Sequence, residues 1–235
     1  MKSFSNNQTR VQGPEATSNR HCCTVLILLI FLLLSPSAFA QGNAIGLETM
    51  LTGIENRYSG RDFTATFFQR SRLAAIDITE TAQGKAFFSH PGKMRWEYQE
   101  PERHEIITNG TTLWIFRPED KQVVQGEART FFKAGAGGAF LSDIRLVRED
   151  YAITLERNDN GVAVLLLVPK KKNPEISSIK IRIFQNTFKI DRVETTNVYG
   201  DTTTLEFMDI EFRKLPPSLF DFVVPKDTDL LFMNE

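Results

Sequence analysis

Residues 92–101 read GKMRWEYQEP, and in them Met94, Trp96 and Tyr98 alternate with Lys93, Arg95 and Glu97. A period of two places successive side chains on opposite faces, so this is a strand with one oily and one wet face. The same period runs through 61–72, where Phe63, Ala65 and Phe67 share a side. It returns in 84–90, with Ala86, Phe88 and His90 on one side and Phe87 and Ser89 on the other. Further strands are expected at 104–108, 112–117, 120–125, 151–157, 161–168, 176–185, 188–199 and 202–213, with a short last one at 220–225. Strand 112–117 is apolar at both parities (Leu113 and Ile115; Trp114 and Phe116), so its inner face cannot be assigned from the pattern. Tight-turn chemistry separates the strands: Asn109-Gly110 suits a two-residue hairpin because both residues tolerate positive φ, and Gly200-Asp201 and Pro216-Pro217 break later runs.

Two stretches carry a helical period instead. Leu47, Met50, Leu51, Ile54 and Tyr58 form one stripe over 44–58. Phe140, Leu141, Ile144 and Val147 form a second after the glycine-rich lead 134–138. About ten strands joined mostly by short turns, with two to three helices, predict a mainly β (α+β) fold: one large curved antiparallel sheet with helices on one face. Such a sheet has one face to cover and little to cover it with. Either the helices cover it fully, or an apolar cavity remains that would bind something greasy.

The amino terminus changes the picture. Lys2, Arg10 and Arg20 precede the apolar run VLILLIFLLL at 25–34, and Ala38-Phe39-Ala40 follows it. Basic region, apolar region and small-residue site describe a secretory signal peptide over 1–40, leaving a single domain over 41–235. The run is shorter than the about 20 residues of a spanning helix. Cys22 and Cys23 both lie before it, so the exported domain has no disulfide and no lipid-modified cysteine. The net charge is −1 for the whole chain. Removing three basic residues and one acidic residue leaves about −3, which gives no reason to expect nucleic acid as a partner.

The residues suggest no catalysis. His90 and His104 have no cysteine partners and no paired-histidine spacing, so no metal site is expected. There is no G-x-S-x-G elbow. Glu194, Glu206, Asp209 and Glu211 sit on expected strands, where a solvated sheet face explains them. The 134–138 loop lacks a following Lys-Ser/Thr and reads as a hinge, and Lys170–Lys172 reads as a solvated hairpin tip.

The order GKAFFSHPGKMRWEYQEP, NGTTLWIFRPEDKQVV, a glycine-containing helical insert, paired strands and LFDFVVP resembles the periplasmic outer-membrane lipoprotein carriers, the LolA family, over nearly all of 41–235. The resemblance implies an unclosed half β-barrel with helices as a lid over a concave apolar face. It implies a carrier that is not an enzyme and needs no cofactor. Acylated lipoproteins would be its cargo, received from an inner-membrane ABC exporter and passed through the periplasm to an outer-membrane receptor. It implies a monomer in which Phe63, Phe67, Phe88, Met94, Trp96 and Tyr98 face the cargo. His90 stands where members carry an arginine that latches the lid, and histidine is shorter and titratable. The competing expectation is a lipid- or peptide-binding envelope sensor on the same open-barrel fold.

Overall fold

The computed structural model describes residues 45–129, 141 and 146–233. Twelve strands form one sheet: β1 (Phe63–Leu73), β2 (Ile78–Ser89), β3 (Lys93–Glu100), β4 (His104–Asn109), β5 (Thr112–Arg117), β6 (Gln122–Glu127), β7 (Tyr151–Asp159), β8 (Val162–Pro169), β9 (Ser178–Phe184), β10 (Lys189–Thr196), β11 (Thr202–Phe212) and β12 (Asp229–Phe232). Their order is β12-β6-β5-β4-β3-β2-β1-β11-β10-β9-β8-β7. The edge strands β12 and β7 do not pair, so the sheet is an unclosed half-barrel. It lies, with its helices, in the compact unit Asn43–Glu235. Neighbours are antiparallel as expected, except that β12 runs parallel to β6, which makes the sheet mixed. Register shifts in the β1–β11, β2–β3, β7–β8 and β9–β10 pairs bend it.

Helix α1 (Leu47–Tyr58) buries Met50, Leu51, Ile54 and Tyr58 in the same cluster as Phe63, Phe67 and Leu165. The Tyr58 hydroxyl accepts the Ile190 backbone N–H at 2.9 Å, and its ring meets Phe63 edge-on at 5.3 Å. Arg148, in α2 (Leu146–Asp150), donates to Glu48 at 2.9 Å and also to Glu55, so the two helices are tied by charge. Most of the second expected helix, including Phe140 and Ile144, lies outside the described residues. Its Leu141 and Val147 are buried with α1 in the inner cluster.

The expected strand at 220–225 is not one. Pro217–Phe220 makes a 3-10 turn, and the strand comes later, as β12. The reason is topological. Strand β11 sits mid-sheet and β12 at the far edge beyond β6, so the chain between them must pass β1 to β6. It does so on the outer face: Arg95, which alternates with Met94 and Trp96, donates to the Leu219 carbonyl at 3.3 Å. The Phe222 ring lies 5.4 Å from Phe116 and 6.0 Å from Trp114. Asp62 fixes the start of this strap, accepting from Leu215 N at 3.0 Å and from the Ser89 hydroxyl at 2.8 Å. The double apolar parity of β5 follows. Leu113 and Ile115 continue the inner face through Thr108 and Ile106, while Trp114 and Phe116 are covered by the strap.

Gly53 tests the seat of α1. A Cβ there would lie 2.3 Å from Phe188 Cδ1, a ring held in the β9–β10 turn. Gly53→Ala should therefore lower stability by about 1–3 kcal/mol through overpacking, despite the higher helix propensity of alanine. Urea unfolding measures this, and an unchanged or raised midpoint would contradict the packing described.

Candidate functional site

Cross-strand register assembles the inner face. Phe63 stands opposite Phe88, and Phe88 opposite Met94; Ala86 stands opposite Trp96. Gly84 lies between Phe67 and Tyr98. A Cβ on Gly84 would meet the Glu97 carbonyl oxygen at 2.0 Å and Phe67 Cε1 at 3.0 Å. Its absence lets Phe67 and Tyr98 meet edge-to-face at 4.9 Å, where any side chain would part them. Phe63 and Phe88 stack at 4.6 Å, and Trp96 lies edge-on to Phe67 at 4.8 Å and to Phe88 at 5.7 Å. The Trp96 indole N–H, buried, donates to Met94 Sδ at 3.3 Å.

All six residues expected at the site thus come together on one face. Five of them are at most 3% exposed, and Tyr98 packs against the same cluster. In this conformation they shield one another. Ring against ring, with Met94 among them, they form a packed floor. Beyond β1 the floor continues in residues outside the expected six: Phe207 and Leu205 of β11, Val193 of β10, Ile181 of β9 and Leu165 of β8. Period-two alternation in those strands carries the signal that could have found them. His90 lies half-buried in the β2–β3 turn, and of the second expected helix Leu141 and Val147 are among the described residues.

At one end the floor gives way to polar groups on the same face. Gln69 and Ser71 follow Phe67 along β1, opposite Ala82 and Glu80 of β2. The Tyr98 hydroxyl donates to Gln69 Oε1 at 2.9 Å, and Gln69 Nε2 donates to the Ser71 hydroxyl at 3.1 Å. His104 stacks on Tyr98 at 4.0 Å. With Glu102 these groups border a pocket of about 540 Å³ at this end of the floor. Burial pushes the Tyr98 hydroxyl up to about 12, so it stays a neutral donor. Burial also holds the His104 imidazole below its ordinary value; the hydrogen bond to the Glu102 carbonyl opposes this and Arg117 adds to it.

The outer face of β7 to β11 carries charge pairs instead. Lys180 meets Glu156 at 3.0 Å, Arg182 meets Asp191 at 2.5 Å, and Arg192 meets Glu206. Glu211 lies 4.0 Å from Arg213. Among the described residues no cluster of three or more His, Cys, Asp or Glu is placed to hold a metal.

His104 yields a pH test. Above about pH 6.5 it is neutral in both states, and as pH falls the unfolded chain takes the proton more readily, so the folded state loses stability. Between about pH 7 and pH 5 the wild-type Tm should fall further than that of His104→Gln. Parallel curves would show that the ring is not held away from water.

The model of the family described as "Outer membrane lipoprotein carrier protein LolA" matches residues 59–223. The outer-membrane lipoprotein carrier protein of Chromobacterium violaceum is 26% identical over 197 residues, covering 83% of this chain and 90% of its own. That of Neisseria meningitidis serogroup B is 25% identical over 195 residues, covering 83% and 89%. Among solved structures, an uncharacterized conserved protein from Thermus thermophilus shares the fold with a TM-score of 0.54 at 12% identity, covering 79% of this chain and 98% of its own. The family match runs from the end of α1 through all of the sheet but β12 and into the strap, well over half of the sequence, and the chain belongs to the outer membrane lipoprotein carrier (LolA) family.

Proposed function

We propose that this protein is a periplasmic carrier. It takes the acyl chains of lipoproteins released by an inner-membrane ABC exporter and yields them to an outer-membrane receptor, acting as a monomer and without catalysis. Residues 1–40 would direct export and be cleaved after Ala40. The observation that carries the proposal is the aromatic floor: Phe63, Phe67, Phe88, Met94, Trp96 and Tyr98 on one face of a sheet whose edges do not close.

The energetics suit a carrier. An acyl chain in water costs about 0.8 kcal/mol per CH₂, so three chains of about sixteen carbons expose tens of kcal/mol. They cannot cross an aqueous space unaided. An aromatic ring buries about 150–250 Å², worth roughly 4–6 kcal/mol at about 25 cal/mol/Å². Opening the floor therefore costs a sum of the same order as the cargo returns. Loading is an exchange of one apolar contact for another, and its net affinity stays low enough for handover. In this reading His90, at the rim of the floor, bears on the lid.

An acyl-chain fluorophore titrated into residues 41–235 tests the proposal. Trp96→Glu should weaken uptake at least about tenfold, since it sets a charge in the apolar site, and Met94→Gln should weaken it less, with circular dichroism showing that the sheet persists. Wild-type loading by both variants would remove the inner face as the site. His90→Ala should speed uptake if the histidine holds the lid, and an unchanged rate would remove that role.

A further inference from the structure

At the end of the sheet beyond Gln69 and Ser71, two neighbouring hairpin tips expose large apolar side chains. Leu73, Ile76 and Ile78 of the β1–β2 tip are 39%, 63% and 47% exposed, and Val198 and Tyr199 of the β10–β11 tip are 56% and 74% exposed. The tips are joined. Arg72 pairs with Thr202, and Ala74 N donates to Asp201 Oδ1 at 2.8 Å. A third tip, between β8 and β9, abuts them through Val198 N, which donates to the Pro174 carbonyl at 3.2 Å. It carries Lys171 and Lys172, both exposed.

The charges here are mostly engaged. Arg72 holds Asp77 at 2.7 Å, Asp201 accepts from Ala74 N and Asn197, and Lys170 binds the Arg148 and Glu149 carbonyls. Glu175 is exposed in the same turn as the lysines, and Glu80 lies two residues inward of Ile78. Among the described residues no salt bridge takes up Lys171 or Lys172. The surface is thus an apolar tip with two available ammonium groups beside it.

Its relation to the floor supplies the occupant. Along the inner parity of β1 come Phe63, Ala65 and Phe67, then Gln69 and Ser71, then Leu73, which pairs with Ile78. The series is oily, polar, oily. At about 3.3 Å per residue, Leu73 lies about 20 Å beyond Phe67, with the polar band between. From a bilayer outward come hydrocarbon and then headgroups, and the two layers nearest the tip, apolar Leu73 and Ile78 and then polar Gln69 and Ser71, match that order. Amphipathic surface elements bury their apolar side about 5–10 Å into the acyl boundary; here Leu73 and Ile78 stand at one level and Ile76 in the turn beyond them.

We infer that the β1–β2 and β10–β11 tips contact a lipid bilayer bearing anionic headgroups, with Ile76 and Tyr199 in the acyl boundary and Lys171 and Lys172 over the phosphates. Gln69, Ser71 and the Tyr98 hydroxyl then lie at headgroup level, and the aromatic floor opens just behind them. Passage of acyl chains along this path rests on the carrier reading; the contact with lipid does not.

The test is co-sedimentation of residues 41–235 with phosphatidylcholine vesicles, with and without phosphatidylglycerol. Preferential binding to the anionic vesicles is expected. Ile76→Asp combined with Tyr199→Asp should reduce it at least about tenfold, because two apolar anchors are lost. Lys171→Gln with Lys172→Gln should reduce binding to anionic vesicles about tenfold and leave neutral vesicles unaffected. Both double variants should keep the wild-type Tm, because the side chains are exposed. Failure of the wild type to bind either vesicle, or wild-type binding by the aspartate variant, overturns the inference. So does a concentration-dependent dimer that the aspartate variant abolishes, which would make the patch a contact between copies. Equal binding to neutral and anionic vesicles overturns the lysine assignment. Acyl-probe uptake, measured in parallel, keeps the two readings apart: vesicle failure with intact uptake sinks only this inference, and the converse sinks only the carrier.

Discussion

An apolar sheet face left uncovered in water sets the terms for everything else in this molecule. The inner side of the sheet is oily from β7 to β6, through Leu155, Leu165, Ile181, Val193, Leu205, Phe67, Ala86, Trp96, Ile106, Ile115 and Val124. Closure into a barrel would hide such a face permanently. Here the edges β7 and β12 remain apart, so cover has to come from other parts of the chain. Helix α1, Leu141 and Val147 supply it on the inner side among the described residues. Cover made of separate pieces can be withdrawn, which a closed barrel wall cannot be.

The two faces solve different problems. Outside β7 to β11 the strands carry paired charges, and each such pair contributes little at the surface. Their physical effect is to keep that face wet. Outside β3 to β6 the Arg95, Glu97 and Glu105 charge cluster stands beside the apolar Ile107, Trp114 and Phe116, and the 213–228 strap lies across part of that face, pinned by Asp62, Arg95 and Phe222. The strap therefore covers a second, local core of Ile107, Val123, Leu215 and Phe220 on the outer side, while the outer side of β7 to β11 has no such cover among the described residues. The part of the sheet covered on both faces should hold its shape while the rest adjusts.

Strand positions are legible in the sequence to within a residue or two wherever one face is buried and the other wet. The signal fails where that condition fails. Strand β2 starts at Ile78 and not near 84, because Ile78–Thr81 extends beyond the core with both faces exposed, so no period of two is imposed. Strand β12 escapes the pattern because Asp229–Phe232 is exposed throughout and its apolar run does not alternate. At 220–225 Phe220 is buried and Phe222 half-buried against the sheet and not in it, while Val223 is 84% exposed. The inner face of β5 needs the strap, a contact between residues far apart in sequence. The six floor residues are legible because alternation specifies a shared face. That they pack shut against one another, with Gly84 as the gap that permits it, depends on register across strands, which no local pattern encodes.

The polar band between floor and tips bears on direction. A continuous oily path would let an acyl chain slide in either direction with no preferred stopping point. Gln69, Ser71 and the Tyr98 hydroxyl interrupt it with groups already bonded to one another. A CH₂ passing them loses apolar contact and gains none, at about 0.8 kcal/mol each, so the band is a barrier whose height scales with its width of about two residues. In the proposed carrier, such a barrier would hold a loaded chain on the floor side without strengthening its binding there. Retention would then be kinetic while affinity stayed low, and a molecule that must both keep a cargo in water and surrender it at a destination needs those two properties separated.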